Sequence, residues 1–186
     1  MKKALKKNLI TCSIFLLSVS GCSDIKGERT SAGNSPENEL SMVDSSPADS
    51  EVFNFEAPEL YSGSAYLGSD LYQNSPSLVT FVVPSCPICV EEGPKLANAA
   101  ENNPDINYVL VHSFGDKENY IEYVESAGLI HENIVHLSDT DGLLWKQFGV
   151  TAQPSTVLVN SNGEISLSTG ALGDDGLIRA ADQILK

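Results

Sequence analysis

Basic residues are scarce in this 186-residue sequence, which has 11 lysines and arginines against 25 aspartates and glutamates. The formal net charge of −14 predicts an acidic surface, which repels nucleic acid and anionic lipid. We therefore expect no direct binding to nucleic acid. Once an N-terminal leader is set aside, the length suits one domain of ordinary size.

Apolar runs are short as well. The run near the N-terminus, Leu9 to Val19, is too short to cross a bilayer as a permanent helix. The run follows a lysine-rich start and leads into Val19-Ser20-Gly21-Cys22. These three features together resemble a bacterial lipoprotein signal peptide. This resemblance implies that residues 1–21 are a leader and that Cys22 becomes the lipidated first residue of the mature protein. The alternative is ordinary cleavage after a small residue, which would leave Cys22 as an odd thiol.

Large apolar residues are almost absent from Ser23 to Ser50, where Ser, Glu, Asp, Asn, Gly and Pro dominate. A segment of this composition cannot bury enough surface to fold. We therefore predict a disordered tether over residues 22–50, beginning at lipidated Cys22, that lifts a domain off a membrane. The folded domain is predicted over residues 51–186.

Cysteine is also rare, at four residues in the whole sequence. Cys12 would leave with the leader and Cys22 would carry lipid, so Cys86 and Cys89 are the only thiols of the predicted domain. Export would place this pair in an oxidising compartment, where disulfide chemistry is possible.

The cysteine pair lies between a predicted strand and a predicted helix. Leu78 to Val83 is a β-branched and aromatic run that is typical of a buried strand. A helix is predicted from about Pro87 to Ala100. Two thiols separated by two residues can close a disulfide within one turn, and the helix N-terminus favours thiolate on the first cysteine. This arrangement predicts a redox centre.

The remaining patterns predict an α/β domain. It begins with a strand at Val52–Phe55 and a hairpin through Tyr66 and Leu67. Further strands are predicted at 106–111, 134–137, 150–159 and 164–169, and further helices at 116–126, at 141–148 and at the C-terminus, where Leu177, Ile178, Ala181, Ile184 and Leu185 share one face. This order, with no internal repeat, indicates a central mixed sheet with helices on both sides.

Four local features together resemble the thioredoxin fold, and more narrowly the extracytoplasmic thioredoxin-like proteins of the TlpA, ResA and DsbE group. They are Cys86-Pro87-Ile88-Cys89, Pro94, Gln153-Pro154-Ser155-Thr156 and the Asn162-Gly163 turn before a final helix. The similarity covers about residues 52–186. It implies a thioredoxin fold with an N-terminal β-hairpin extension and thiol–disulfide oxidoreductase activity. No bound cofactor is implied, because the cysteine pair itself holds the two electrons.

The resemblance also implies roles for single residues. Cys86 would be the nucleophile that forms a mixed disulfide with a partner, and Cys89 would resolve it. A cis bond at Pro154 would turn the Gln153 backbone towards an extended partner chain. Glu92 would take a proton from Cys89 as that thiol attacks. The alternative for Glu92 is an exposed acid that merely suits the helix dipole.

Residues beside the cysteines are predicted to contact the partner. Ser85 stands where most of these relatives have an aromatic residue, so it leaves the thiol less covered and admits a bulkier or more polar partner. The pair Pro87-Ile88 matches none of the dipeptides that mark a dedicated reductant or oxidant, so it does not determine the direction of electron flow. We predict reduction or isomerisation of disulfides in exported proteins, with a membrane-bound thiol donor or acceptor as a second partner.

Zinc or copper handling is the alternative function. Cys86 and Cys89 are potential ligands, and His131 and His136 have finger-like spacing. However, 41 residues separate Cys89 from His131, against about 12–15 in a zinc finger. A purely structural disulfide is a further alternative, but so short a loop adds little stability. We therefore predict no metal site.

Overall fold

The protein is seen here in a computed structural model, which describes residues 51–186 and the backbone of strand β1 (Ser41–Met42). The predicted leader, the predicted lipidation site Cys22 and the rest of the predicted tether lie outside the described residues. Strand β1 falls within the predicted tether, and it pairs with Ile165–Thr169, the last strand along the chain.

A 3-10 helix (Glu51–Phe53) and a β-hairpin open the described domain. The hairpin consists of the antiparallel strands β2 (Glu56–Pro58) and β3 (Ala65–Leu67). The predicted hairpin extension is thus confirmed, but the strand predicted over Val52–Phe55 is wrong. The Phe53 side chain is buried, and its ring lies 4.9 Å from that of Tyr72 and 6.4 Å from that of Phe148. These aromatic contacts stabilise a single helical turn where an extended strand was expected.

A mixed sheet forms the centre of the domain. Its further strands are β4 (Ser77–Val82), β5 (Asn107–Ser113), β6 (Ile134–Asp139), β7 (Ser155–Val159) and β8 (Ile165–Thr169), in the order β1-β8-β7-β4-β5-β6. Strands β4, β5 and β6 are parallel, whereas β7 is antiparallel to both β4 and β8. All six residues of β4 are buried, as expected for a central strand that is covered on both faces.

In the described part of the chain, four α-helices flank this sheet: α1 (Pro87–Asn102), α2 (Lys117–Ser126), α3 (Leu143–Gln147) and α4 (Gly173–Ile184). Helix α1 begins with Pro87 at its first position, where the missing proline N–H is not needed. Helix α2 begins after Asp116, whose carboxylate accepts a hydrogen bond from the Asn119 N–H at 2.9 Å. Within residues 51–186, none of the helices has the length and apolar character to cross a membrane.

Two apolar clusters lie on opposite faces of the sheet. One is formed with α1, α2 and α4, and the other with α3, the hairpin and the 3-10 helix. Leu78 and Val82 of β4 belong to the first cluster, whereas Val79 and Phe81 belong to the second, following the alternation of side chains along a strand. The predicted central mixed sheet with helices on both sides is therefore confirmed.

Helix α1 approaches α2 closely at Gly93. A Cβ atom there would lie 2.7 Å from the Ala127 Cβ and closer still to the Ala127 carbonyl oxygen. Because real Cβ atoms do not approach so closely, only glycine permits this packing of the two helices.

The buried face of α4 differs from the predicted one. Leu177, Ala181 and Ile184 are buried as expected, but Ile178 is 60% exposed and Leu185 49% exposed. The buried residues recur at intervals of three and four along the helix, whereas Ile178 and Leu185 each follow a buried position by one residue. That offset of about 100° turns both side chains away from the sheet.

Candidate active site

The two cysteines lie at the start of α1. Cys86 is the residue that caps the helix, Cys89 lies in its first turn, and the two form a disulfide with their Cα atoms 5.2 Å apart. The Cys89 N–H donates a hydrogen bond to Cys86 Sγ at 3.1 Å. Cys86 is 5% exposed and Cys89 1%. The helix start therefore directs an N–H donor at the more accessible cysteine, and negative charge on its sulfur would be stabilised there.

Tyr123 of α2 contacts the backbone of Cys89. Its hydroxyl donates a hydrogen bond to the Cys89 carbonyl oxygen at 3.1 Å, and its side chain is buried. Burial and the nearby Glu92 carboxylate raise the pKa of the Tyr123 phenol. The phenol therefore stays protonated and remains a donor to the first turn of α1.

Glu92 lies one turn beyond Cys89 and is only 3% exposed. One carboxylate oxygen accepts a 2.6 Å hydrogen bond from the Gly173 N–H at the start of α4. The other oxygen accepts a hydrogen bond from Lys95 Nζ at 3.1 Å. This contact with Glu92 is the main reason that the pKa of Lys95 is raised. The exposed-acid alternative for Glu92 is therefore wrong, because this carboxylate is buried between two helices. Whether it also exchanges a proton with Cys89 stays a prediction.

The Gln153–Pro154 segment lies beside the strand that leads to the cysteines. Its peptide bond is cis, as the resemblance implied. Ser155 pairs with Phe81 across β7 and β4, which places Pro154 level with the end of β4. Pro154 is buried and Gln153 is exposed. The fold thus places Gln153 and Pro154 beside the end of β4, from which the cysteine loop starts.

An open cavity of about 410 Å³ adjoins the cysteine loop. Ser85 lines it, together with Pro84, Phe114, Asn119, Glu122, Tyr123 and Ser126. Ser85 and Pro87, on either side of Cys86, are both exposed. A partner could therefore approach Cys86 from this side of the loop.

A pair of buried histidines lies under α2. His112 Nε2 is 3.0 Å from His136 Nδ1, and His136 Nε2 is 3.2 Å from the Leu129 carbonyl oxygen. Because a carbonyl only accepts, the proton of neutral His136 resides on Nε2, so His112 Nε2 donates to His136 Nδ1. His112 Nδ1 is then a buried acceptor, and it has no hydrogen-bond partner within the described part of the chain.

Burial lowers the pKa of both imidazoles. The His112 pKa falls to about 3, with a further contribution from His136, and the His136 pKa falls to about 4 although its bond to Leu129 opposes the change. Both rings are therefore neutral at pH 7. The His112 ring also contacts Tyr123, with ring centroids 5.6 Å apart, so the pair adjoins the residue that supports Cys89.

The histidines of the metal alternative are engaged elsewhere. Both ring nitrogens of His136 lie at hydrogen-bonding distance from His112 or Leu129, and His131 Nδ1 accepts from the Asn133 N–H at 3.2 Å. In residues 51–186, no three His, Cys, Asp or Glu side chains are grouped to hold a metal ion. The metal alternative therefore gains no support from the described residues.

Sequence reasoning missed Tyr123, which contacts Cys89, and Phe114, which lines the adjoining cavity. The spacing of Tyr123 within α2 indicates burial, but no pattern reveals that its hydroxyl reaches Cys89, 34 residues away. Phe114 carried one usable signal, because it is a large apolar residue directly before Gly115-Asp116, where a strand gives way to a helix cap.

Comparison with known proteins agrees with this geometry. Residues 48–168 match the AhpC/TSA family. The soluble secreted antigen MPT53 of Mycobacterium tuberculosis is 31% identical over 119 residues, which make up 62% of this chain and 66% of that protein. The same antigen of Mycobacterium bovis matches equally. The chain thus spans 66% of the length of these curated relatives.

Two solved structures extend the comparison. One is a secreted Mycobacterium tuberculosis disulfide oxidoreductase homologous to E. coli DsbE, which is 30% identical with a TM-score of 0.64 and is covered over 99% of its length by 73% of this chain. The other is MTB dsbF in mixed oxidized and reduced forms, which is 28% identical with a TM-score of 0.67 and is covered over 96% of its length by 72% of this chain. The predicted thioredoxin fold is thereby confirmed. Since the family match spans more than half of the sequence, the chain belongs to the AhpC/TSA family, with a thioredoxin-like fold and a Cys-x-x-Cys pair at the start of α1.

Proposed function

We propose that this protein is a thiol–disulfide oxidoreductase that reduces or isomerises disulfides of exported proteins through Cys86 and Cys89. The observation that carries the proposal is the disulfide between the helix-capping Cys86 and the buried Cys89. Membership of the family and the similarity to a secreted disulfide oxidoreductase support it. No further cofactor is required, because the cysteine pair carries both electrons.

The reaction consists of two exchanges. The Cys86 thiolate attacks one sulfur of the partner disulfide, forms a mixed disulfide and releases the other partner sulfur as a thiolate. The Cys89 thiolate then attacks Cys86 Sγ, restores the Cys86–Cys89 disulfide and releases the second partner thiolate. Two electrons pass to the partner, and both released thiolates take up protons. If a thiol of the partner displaces Cys86 instead, the partner disulfide is rearranged without net reduction.

The protein groups around the pair assist these exchanges. The helix start stabilises negative charge on Cys86, and Tyr123 fixes the Cys89 backbone. We assign Glu92 as the group that takes the Cys89 proton during the second exchange, because its carboxylate is buried one turn away on the same helix. On the partner side, Ser85 and Pro87 flank the attacking sulfur, and Gln153, an exposed residue before Pro154, would offer its backbone for strand-like pairing.

The N-terminal sequence supports action at a membrane surface. A leader over residues 1–21 and a lipid on Cys22 would attach the protein to a bacterial membrane, facing the periplasm or exterior, through the tether of residues 22–50. A membrane-bound dithiol would then restore the reduced pair by the same exchange in reverse. Labelling with a palmitate analogue should be lost in a Cys22→Ala variant, and persistent labelling would refute the anchor.

The mechanism is tested by trapping the mixed disulfide. A Cys89→Ser variant keeps the nucleophile but cannot resolve, so it should accumulate a covalent adduct with an oxidised exported polypeptide on a non-reducing gel. A Cys86→Ser variant, which keeps the buried thiol alone, is the matched control and should trap none. Equal trapping by both variants, or none by Cys89→Ser, would contradict the assigned roles.

A further inference from the structure

An exposed aromatic ring lies beside the redox pair. Phe114 directly follows β5, is 57% exposed, and lines the same cavity as Ser85. Because Ser85 directly precedes Cys86, this cavity begins one residue from the proposed nucleophile. Phe114, Pro84 and the aromatic side chain of Tyr123 supply apolar lining to this cavity, and its other lining residues are polar.

The ring is held in place although it contributes little to the core. Phe114 has a φ of 59°, in the left-handed region that bulky residues rarely adopt. Its ring meets that of Trp145 edge to face at 5.2 Å. A Cβ at Gly142 would lie 2.5 Å from Phe114 Cζ, so a larger residue there would displace the ring from this position. Phe114 thus keeps an unfavourable backbone conformation and an apolar side chain that faces solvent, which is a reason to look for a function.

We propose that Phe114 is a specificity-determining residue, which binds an apolar side chain that neighbours the disulfide cysteine of the polypeptide partner. The inference rests on the proposed function, since it concerns the same partner. The occupant is an extended polypeptide segment, because Ser85, the residue directly before Cys86, lines the cavity, so that a chain whose disulfide reacts at Cys86 lies beside it. Burial of an apolar side chain against the ring removes apolar surface of both from water.

Phe114 acts on recognition and takes no part in electron transfer. Its side chain has no group that ionises or donates a hydrogen bond, and it is separated in sequence from both cysteines. Partners with an apolar neighbour beside the cysteine should therefore react faster. A disulfide too small to reach the cavity should be reduced at the same rate with and without the ring.

The test uses Phe114→Gly, which removes the ring and accepts the positive φ without strain. The purified, reduced variant and wild type are mixed with two disulfide-linked peptide dimers that differ only in phenylalanine or serine beside the cysteine, and with hydroxyethyl disulfide. Wild type should favour the phenylalanine peptide by about tenfold in kcat/KM, the scale of one apolar contact in a pocket. Phe114→Gly should lose this preference and keep the wild-type rate with hydroxyethyl disulfide, whereas Phe114→Tyr should retain the preference.

Ile130→Ala is the matched control, because Ile130 is an apolar residue that is 72% exposed and does not line this cavity; it should behave as wild type. An unchanged preference in Phe114→Gly, or equal rates of wild type with both peptides, would overturn the inference alone. If wild type failed to reduce even hydroxyethyl disulfide, the proposed function would fall together with it.

Discussion

The buried pair His112–His136 should make the folded state sensitive to acid. Their pKa values lie near 3 and 4 in the folded protein, against about 6.5 in an unfolded chain. Between these values the unfolded chain binds two protons that the folded protein does not. Above about pH 6.5 both histidines are neutral in the folded and the unfolded protein, so they do not lower the free energy of unfolding. As the pH falls from about 6.5 towards 4 and below, the unfolded chain takes up protons first, and the free energy of unfolding decreases progressively.

The size of the effect follows from the number of protons. Each extra proton bound by the unfolded chain lowers the free energy of unfolding by about 1.4 kcal/mol per pH unit. Two histidines therefore give a slope of about 2 to 3 kcal/mol per pH unit near pH 5. This is a large fraction of the roughly 5–15 kcal/mol by which domains are stable.

The assay is urea unfolding of the wild-type protein and of His112→Gln at several pH values from 7 to 4.5. The glutamine amide can still donate to His136 but does not titrate in this range, so the slope should fall by about half. Comparison between variants cancels the contribution of the many carboxylates. His131→Gln, at a histidine outside the pair, is the control. Identical slopes for wild type and His112→Gln would refute the reasoning, because they would mean that this imidazole accepts a proton in the folded state as easily as in the unfolded chain.

Three further predictions concern the packing and chemistry around α1. Gly93→Ala should lower the free energy of unfolding by about 1–3 kcal/mol in urea titrations, because its Cβ collides with α2, and unchanged stability would contradict the close approach. Glu92→Gln should slow resolution of a preformed mixed disulfide by about 100-fold at pH 7 if the carboxylate takes the Cys89 proton, while Lys95→Met, which leaves that carboxylate in place, should change the rate far less; equal rates for Glu92→Gln and wild type would remove the base. Tyr123→Phe should cost about 1 kcal/mol of stability through the lost hydrogen bond, and no loss in thermal unfolding would show that water replaces it.

The strand-to-helix junction was predictable because its signals are local. The β-branched run before Cys86 matches β4 within one residue, and helix α1 begins at Pro87 as predicted. The Asn162-Gly163 turn likewise joins β7 to β8. In each case the residues that determine the conformation are neighbours in the chain, so a sequence pattern is sufficient.

Elements that depend on distant contacts were predicted less well. The turn at Phe53 is stabilised by rings from other parts of the chain, so the local sequence Val52–Phe55 wrongly predicted a strand. Strand β6 continues beyond the predicted Leu137 to Asp139, because the buried carboxylate of Asp139 accepts hydrogen bonds from the Leu144 and Trp145 N–H groups at the start of α3. A polar residue suggests a loop until its partners are known.

The candidate site divides in the same way. The cysteines and the Gln153–Pro154 segment could be found by a motif and a resemblance. The support of Cys89 by Tyr123 and the bond between Glu92 and Gly173 join residues 34 and 81 positions apart. Such contacts arise only when helices pack on the sheet, and no spacing in the sequence encodes them.

The most direct test of the central claim is the reduction of insulin by the purified protein in the presence of dithiothreitol. We predict that wild type accelerates the reduction well above the rate with dithiothreitol alone, and that Cys86→Ser does not exceed that background. Full activity in Cys86→Ser would contradict the account, because the nucleophile at the start of α1 would then be dispensable.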